Sequence, residues 1–362
     1  MMVSRVEANL FERKPFRKKL SRVLLTFLKT GVKVNFPPQG FDPRKASDRV
    51  LNDYFLPPRP DRKIAPRAFR LWQKAMSGPP IWPTAPDGEQ IFETLFAESR
   101  LRSHPRLAGP SHAAFEAASS NWSGAYVRPL DFSHMTRVQG LWTVPNPDLP
   151  KAGAGEYASS AWVGLDGNDP ASRSLPQIGS GHWVTADSAG NAQRSLFAWW
   201  QWFVRGGQNN GQIAIKAVPV KSGDLIYAQV TAVAPSLASL FIINLTTNVA
   251  FPFWFQYASP IQPIQSPSNP LPVHIEGRTA AWILERPSHR DNPMLYPLPN
   301  YHSTTFKICC AGTDSPGSSQ DVDLRRAHLV RMVDWDLPPA ASKVVSTPSR
   351  DGATSVLLHY RQ

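Results

Sequence analysis

Carboxylates are scarce in the C-terminal two thirds of this chain, and the scarcity singles one out. From Phe115 onward the only glutamates are Glu116, Glu156, Glu276 and Glu285, and the first three lie in segments that read as loops. Glu285 instead closes an apolar run of strand length, Thr279-Ala280-Ala281-Trp282-Ile283-Leu284, and Pro287 beyond it cannot continue a ladder. Alternation puts Ala281, Ile283 and Glu285 on one face and Trp282 and Leu284 on the other. Burying an unpaired carboxylate is expensive, so Glu285 is expected at a wet sheet margin or held by neighbours for a chemical purpose.

Two amides join it. Gln177 ends Ser174-Leu175-Pro176-Gln177 beside a Gly179 turn, and Gln201 lies inside Phe197-Ala198-Trp199-Trp200-Gln201-Trp202-Phe203. There Trp199, Gln201 and Phe203 share one face. Each glutamine reads equally as a surface-facing strand residue, and a Trp-rich strand as core. A sheet carrying Trp beside Gln also suits an extended ligand groove with aromatic walls and a few polar fixtures.

Other familiar chemistries are missing. No HExxH, no paired CxxC and no glycine-rich phosphate loop occurs. Gly179-Ser180-Gly181-His182 lacks the spacing of a serine nucleophile elbow, though a Ser-His hydrolase stays open on spacing alone. Asp166-Gly167-Asn168-Asp169 lacks the later Glu of a calcium loop and reads as a tight turn.

The elements that must position these residues follow from composition and texture. The chain has 362 residues, 36 prolines, twelve tryptophans and 18% charged residues, which suits a well-packed, loop-rich protein. Its net charge of +12 is uneven: residues 1–115 hold 21 Lys+Arg against 10 Asp+Glu, leaving 18 basic and 17 acidic residues for the rest. Two units with different jobs are implied. Cys309 and Cys310 are the only cysteines and, being adjacent, cannot staple distant segments. No apolar run reaches the length of a membrane span, and Val23–Leu28 is too short and too close to Lys29 for a clear signal peptide.

Residues 1–35 carry a basic stretch with Phe16, Leu20, Val23, Leu24, Phe27 and Leu28 at helical spacing. That helix could dock on a membrane surface, on nucleic acid or on an acidic protein face, or pack within an N-terminal domain. Helices are expected over residues 65–75 and 89–102, and a linker over 102–120. From Asn121 short strand-like runs alternate with turn signals, which predicts an all-β sandwich or barrel over residues 118–362. Expected strands include residues 122–127, 138–144, 160–165, 175–178, 196–204, 273–275 and 279–284.

Seven landmarks in order then carry a resemblance. They are Asn121-Trp122-Ser123-Gly124-Ala125, Gly140-Leu141-Trp142-Thr143-Val144-Pro145, Ala161-Trp162-Val163-Gly164-Leu165-Asp166-Gly167 and Gln177-Ile178-Gly179. Ala198-Trp199-Trp200-Gln201-Trp202, Asn244-Leu245-Thr246-Thr247 and Ala281-Trp282-Ile283-Leu284-Glu285-Arg286-Pro287 complete the series. Residues 121–362 resemble the glutamic peptidases, or eqolisins, acid-active endopeptidases on a concanavalin-like β-sandwich of two antiparallel sheets. The resemblance implies that Gln177 and Glu285 are catalytic and that Trp162, Asp166, Trp199 and Gln201 line the substrate groove. Two positions depart from the fungal pattern: Gln201 stands where glutamate is usual, and Gly181 where an aspartate follows the catalytic glutamine by four residues.

The same resemblance implies hydrolysis of protein or peptide substrates with no cofactor and no metal, by a monomer that binds no nucleic acid and has no integral membrane segment. It also implies secretion, and a zymogen in which the basic segment 1–117 is a prosegment lying over the groove. The competing reading is a concanavalin-like carbohydrate-binding or glycoside hydrolase domain, in which Asp166 would be the carboxyl partner of Glu285.

Overall fold

Period-two alternation of apolar side chains organises the chain from residue 116 onward, and much of it is apolar on both strand faces. The computed structural model describes residues 31–78, 80–83, 101–102, 116–150, 153–169, 172–205, 212–257, 273–289, 294–315, 321–335 and 343–361. The first strands in chain order are β1 (Val32–Lys33), β2 (Leu101–Arg102), β3 (Glu116–Ser119), β4 (Trp122–Val127) and β5 (Met135–Thr143). They continue with β6 (Gly155–Leu165), β7 (Ser174–Ala186), β8 (Ala192–Val204), β9 (Ile213–Pro219), β10 (Leu225–Ala234), β11 (Leu237–Asn244) and β12 (Val249–Gln256). The rest are β13 (Ala280–Glu285), β14 (Ser288–His289), β15 (Ser303–Thr313), β16 (Asp321–Val322), β17 (His328–Asp334), β18 (Lys343–Asp351) and β19 (Ser355–Tyr360).

The ladders give two layers. A front layer runs β17-β4-β13-β6-β7-β8-β9, and a back layer runs β15-β5-β10-β11-β12-β1. β19 pairs with β15 and β18 with β17, so the ladder folds over and joins the layers without a break. These pairings are antiparallel; β3 lies parallel to β17. Trp282, Leu284, Trp142, Ile178, Trp200, Ile242 and Phe253 fill the space between layers. Two indoles tie the layers by hydrogen bonds as well: Trp282 Nε1 donates to Gln139 O at 2.9 Å and Trp142 Nε1 to Ser180 Oγ at 3.0 Å.

The back layer is buried on its other face too, which is why its strands read as near-continuous apolar runs. Leu141, Tyr227, Phe241, Ile243 and Ala250 meet Leu51, Leu56, Leu71, Trp72, Ala75, Met76 and Trp82 there. The latter come from residues 31–83, whose helices span Asp48–Asp53 and Pro66–Ala75. The second helix opens on Pro66, whose missing N–H is one the first turn cannot use. Its other early N–H groups are capped from the sandwich: Arg67 N and Ala68 N donate to Asp321 at 2.7 and 3.4 Å. Arg67 also pairs with Asp323, and β1 adds to the edge of β12.

Several expectations change here. The leader expected over the groove lies, for residues 31–83, on the opposite side of the molecule from Glu285. The basic helix in residues 1–30 and most of the helix at 89–102 fall outside the described residues. Leu101–Arg102 is a strand paired with β14, not a helix end. β3 begins two residues ahead of the expected domain boundary and replaces the end of the expected linker. Residues 273–275 form no strand. Among the described residues no helix is long and apolar enough to cross a membrane.

Candidate active site

Register places the chemistry-bearing side chains on the outer face of the front layer. One row across the strands reads Tyr126–Ala281–Gly164–Gln177–Gln201. The next reads Gly124–Ile283–Trp162–Gly179–Trp199, and the third Trp122–Glu285–Ser160–Gly181–Phe197. Trp122, Trp162, Trp199, Leu175 and Ile283 pack together on this face. Gln177 and Glu285 therefore share a face, two rows and two strands apart.

Glycine is required between them. A Cβ on Gly179 would stand 2.1 Å from Ala161 O and 2.7 Å from Trp162 Cβ, so the approach of β7 to β6 tolerates no side chain. A Cβ on Gly181 would meet the Phe197 ring at 2.5 Å. The departure at Gly181 thus has a packing cause: an aromatic ring from β8 occupies that ground.

Glu285 is fully buried and each of its oxygens is fixed. Asn121 Nδ2 donates to Oε1 at 3.0 Å and Trp162 Nε1 to Oε2 at 2.8 Å. Asn121 is itself held, accepting from Ser119 Oγ at 3.0 Å through its amide oxygen and from Arg286 N at 2.7 Å through its backbone carbonyl. Both donors to Glu285 are neutral, so the carboxylate is oriented without a cation beside it in these contacts. Trp162 also packs edge-on against Trp122 at 5.1 Å. Asn121 was legible only as part of a motif; nothing in its spacing marked it as a partner of residue 285.

Gln177 Nε2 donates to Gln201 Oε1 at 3.1 Å, and both side chains are buried. That bond assigns the donor end of the Gln177 amide. Trp199 lies one row away, buried, with no protein acceptor for its Nε1.

Asp166 stands elsewhere. Its carboxylate accepts from the backbone N–H groups of Glu276, Gly277 and Arg278 at 2.7 to 3.1 Å, and its φ of +66° lies in the left-handed region. Burial pushes its carboxyl up to about 6, against those three donors, which favour the anion. It clamps a loop just past the end of β6, six residues from Ser160, the residue paired with Glu285. Six strand residues span about 20 Å, well beyond the roughly 5–9.5 Å that two glycosidase carboxyls require.

The Ser-His alternative also has its answer. Ser180 and His182 do meet, but on the face between the layers. His182 Nδ1 and Nε2 lie 3.1 and 3.0 Å from the hydroxyls of Ser159 and Ser180. The ring is fully buried, and burial pushes its pKa down to about 3. It is a satisfied core histidine. Among the described residues no cluster of three or more His, Cys, Asp or Glu could hold a metal ion.

Comparison with known proteins fits this geometry. The model of the Peptidase A4 family matches residues 120–357. Aspergillopepsin-2 of Aspergillus niger is 28% identical over 211 residues, 53% of this chain and 64% of its own length. Scytalidopepsin B of Scytalidium lignicola is 28% identical over 160 residues, 42% of this chain and 54% of its own. The chain thus spans just under two thirds and about half of the lengths of the relatives it matches. The solved structure of scytalido-glutamic peptidase with a transition state analog inhibitor shares the fold: it covers 67% of this chain and 98% of that one, at a TM-score of 0.50 and 21% identity. With the family pattern matched from residue 120 to residue 357, across every strand that carries the site, this chain belongs to the Peptidase A4 family, the eqolisins or glutamic peptidases.

Proposed function

We propose that the protein is an acid-active endopeptidase that hydrolyses peptide bonds with Glu285, Gln177 and one water. The observation that supports this most is the burial of a single carboxylate, oriented by two neutral donors, on the face that also carries Gln177. Glu285, ionised, takes a proton from water as the water oxygen bonds to the peptide carbonyl carbon. The oxyanion that develops accepts from Gln177 Nε2, whose amide cannot titrate and so stays a donor in acid. Glu285 then gives its proton to the leaving nitrogen as the C–N bond breaks, and returns to carboxylate. Gln201 orients the Gln177 amide, and Trp162 and Trp199 form walls for an extended chain. Asp166 acts in this reading by shaping the loop at the end of the groove.

Gln177 and Glu285 are both 0% exposed in the intact chain, so substrate entry requires uncovering. Leu101–Arg102 pairs with Ser288–His289, three residues past Glu285, which brings the N-terminal chain beside the site. Both facts support a zymogen opened by cleavage between residues 102 and 120.

Digestion of a denatured protein at pH 2–5 with pepstatin present, read by mass spectrometry, tests the activity. Gln177→Ala should lose about a hundred- to a thousandfold in rate, the usual effect of losing an oxyanion donor. Glu285→Gln should lose more, with circular dichroism unchanged in both. Near-normal activity in either variant removes the assignment.

A further inference from the structure

Two arginines are buried among the described residues, Arg137 and Arg286. Arg137 stands on β5 in the back layer; Arg286 directly follows Glu285. The Arg286 side chain is 5% exposed, and its Nη1 lies 3.5 Å from Asp334 Oδ2 at the end of β17. Its Nε and Nη2 meet no acceptor. The backbone is pinned as well: Arg286 N donates at 2.7 Å to Asn121 O, and Asn121 Nδ2 holds Glu285 Oε1. A guanidinium shut away from water with two nitrogens unpaired costs stability, and one ion pair does not offset that. Its charge must serve something else.

Glu285 poses the complementary problem. A carboxyl taken out of water prefers to be neutral, while a base that works in acid must be ionised there. The two neutral donors favour the anion but bring no charge. Trp122 and Ser160 flank residue 285 in the ladder, and Gly181 and Phe197 continue that row, so these strands set no charge opposite it. The histidines of the surrounding elements have partners of their own. His289 of β14 stacks on Tyr296, His328 of β17 on Tyr126, and two serines hold His182 of β7. The charged groups beside Arg286 itself are Asp334 and, opposite Asp334 on β18, Lys343. Glu116 of β3 pairs with Leu329, five residues back along β17, and Glu156 lies four residues from Ser160 along β6.

We propose that the Arg286 guanidinium keeps Glu285 ionised in acid, and that Asp334 moderates its effect. The inference rests on the peptidase reading and adds a positioning residue to it: Arg286 acts through Glu285 and touches no substrate. Its guanidinium carries a charge at every pH the chemistry uses. Consecutive Cα atoms stand about 3.8 Å apart, so the two charges share one buried corner of the sheet, where water screens little of the attraction. Such a neighbour favours the carboxylate over the acid. Asp334 takes part of that field back, and its own side chain is 24% exposed, so it can be changed at small structural cost.

The test is the pH dependence of kcat/KM for the acid-treated full-length protein, on a peptide spanning a site mapped in the digest above. The acid limb of that profile reports the protonation of the free enzyme's base. Arg286→Gln should move the limb up by about one pH unit, whatever the height of the plateau. The ratio of plateau activity to activity below the limb then rises about tenfold. Arg286→Lys keeps the charge and should hold the limb where wild type has it. Asp334→Asn should move it down, and this variant decides the matter if Arg286→Gln does not fold by circular dichroism. A folded Arg286→Gln with an unmoved limb makes Arg286 a packing residue and overturns the proposal, leaving the peptidase standing. So does a limb that Asp334→Asn leaves in place or raises. Absence of cleavage by wild type at every pH overturns the peptidase reading together with this one.

Discussion

At the residue scale, the site turns on how two groups that carry no charge help to keep a buried carboxylate in place. Trp162 and Asn121 give Glu285 one N–H each, and in the proposed mechanism both N–H groups act through the carboxylate, while the Trp162 ring also walls the groove. They are positioning residues. Hydrogen bonds to an ionised group contribute about 1.5–3 kcal/mol, and 1.4 kcal/mol is a factor of ten. Trp162→Phe keeps the ring that packs on Trp122 and removes only the donor. It should lower kcat about ten- to a hundredfold with KM nearly unchanged, measured on one peptide at fixed acid pH. A rise in KM at constant kcat would show instead that the indole serves as a groove wall alone. The sequence made Glu285 legible because a carboxylate at the end of an apolar strand demands an explanation. It left the role of Asn121 unmarked, since that role is defined by a partner 164 residues away. Asp166 carried a motif, but its three amide partners are backbone groups that no side-chain pattern announces.

At the element scale, the N-terminal layer matters most. Residues 31–83 cover the outer face of the back layer through an apolar cluster, a strand addition and an ion-paired helix start. Such a unit belongs to the folded body whatever becomes of the rest of the leader. Trp72 is 1% exposed and donates through Nε1 to Pro57 O at 3.1 Å. Trp72→Ala should cost about 3–5 kcal/mol by denaturant titration, the usual range for emptying a buried aromatic site. Acid cleavage after residue 102 should then leave residues 31–83 bound to the sandwich through gel filtration. Their loss as a free peptide would contradict this docking. The strands were legible where apolar residues alternate, as in β4 and β19. β8 begins ahead of its apolar stretch because its first residues are solvated, and β7 runs past its own through buried Gly179, Ser180, Gly181 and His182, which no apolar pattern announces. β12 contains Pro252, which its edge position accommodates: beyond it β1 pairs only with Phe255 and Trp254. The apolar face of the back layer could not be assigned a cover from sequence, since that cover lies over a hundred residues upstream.

At the scale of the whole molecule, two buried titratable groups set opposed pH slopes on stability. Burial keeps the proton on Asp166 to about pH 6 in the folded state, against an ordinary value of 3.8. Between those values the folded chain keeps a proton that the unfolded chain has lost, so this group favours folding in acid and the benefit fades as pH rises through 6. At 1.36 kcal/mol per unit the difference is about 3 kcal/mol. His182 runs the other way. Folded, it stays neutral down to about pH 3; unfolded, it protonates below 6.5, so stability falls on acidification across that window. From pH 6.5 to 4 the loss is again about 3 kcal/mol. The two nearly cancel, which leaves the fold insensitive, as far as these groups decide, to the acid range the proposed chemistry needs. Removing either should unmask the other. In a Gln177→Ala background, to suppress self-digestion, Asp166→Asn should lose stability from pH 6.5 to 4 and His182→Gln should gain it, each by about 3 kcal/mol relative to the parent. Denaturant midpoints at the two pH values measure both slopes. Slopes of the same sign in the two variants would mean that at least one of the groups is not titrating as its burial dictates.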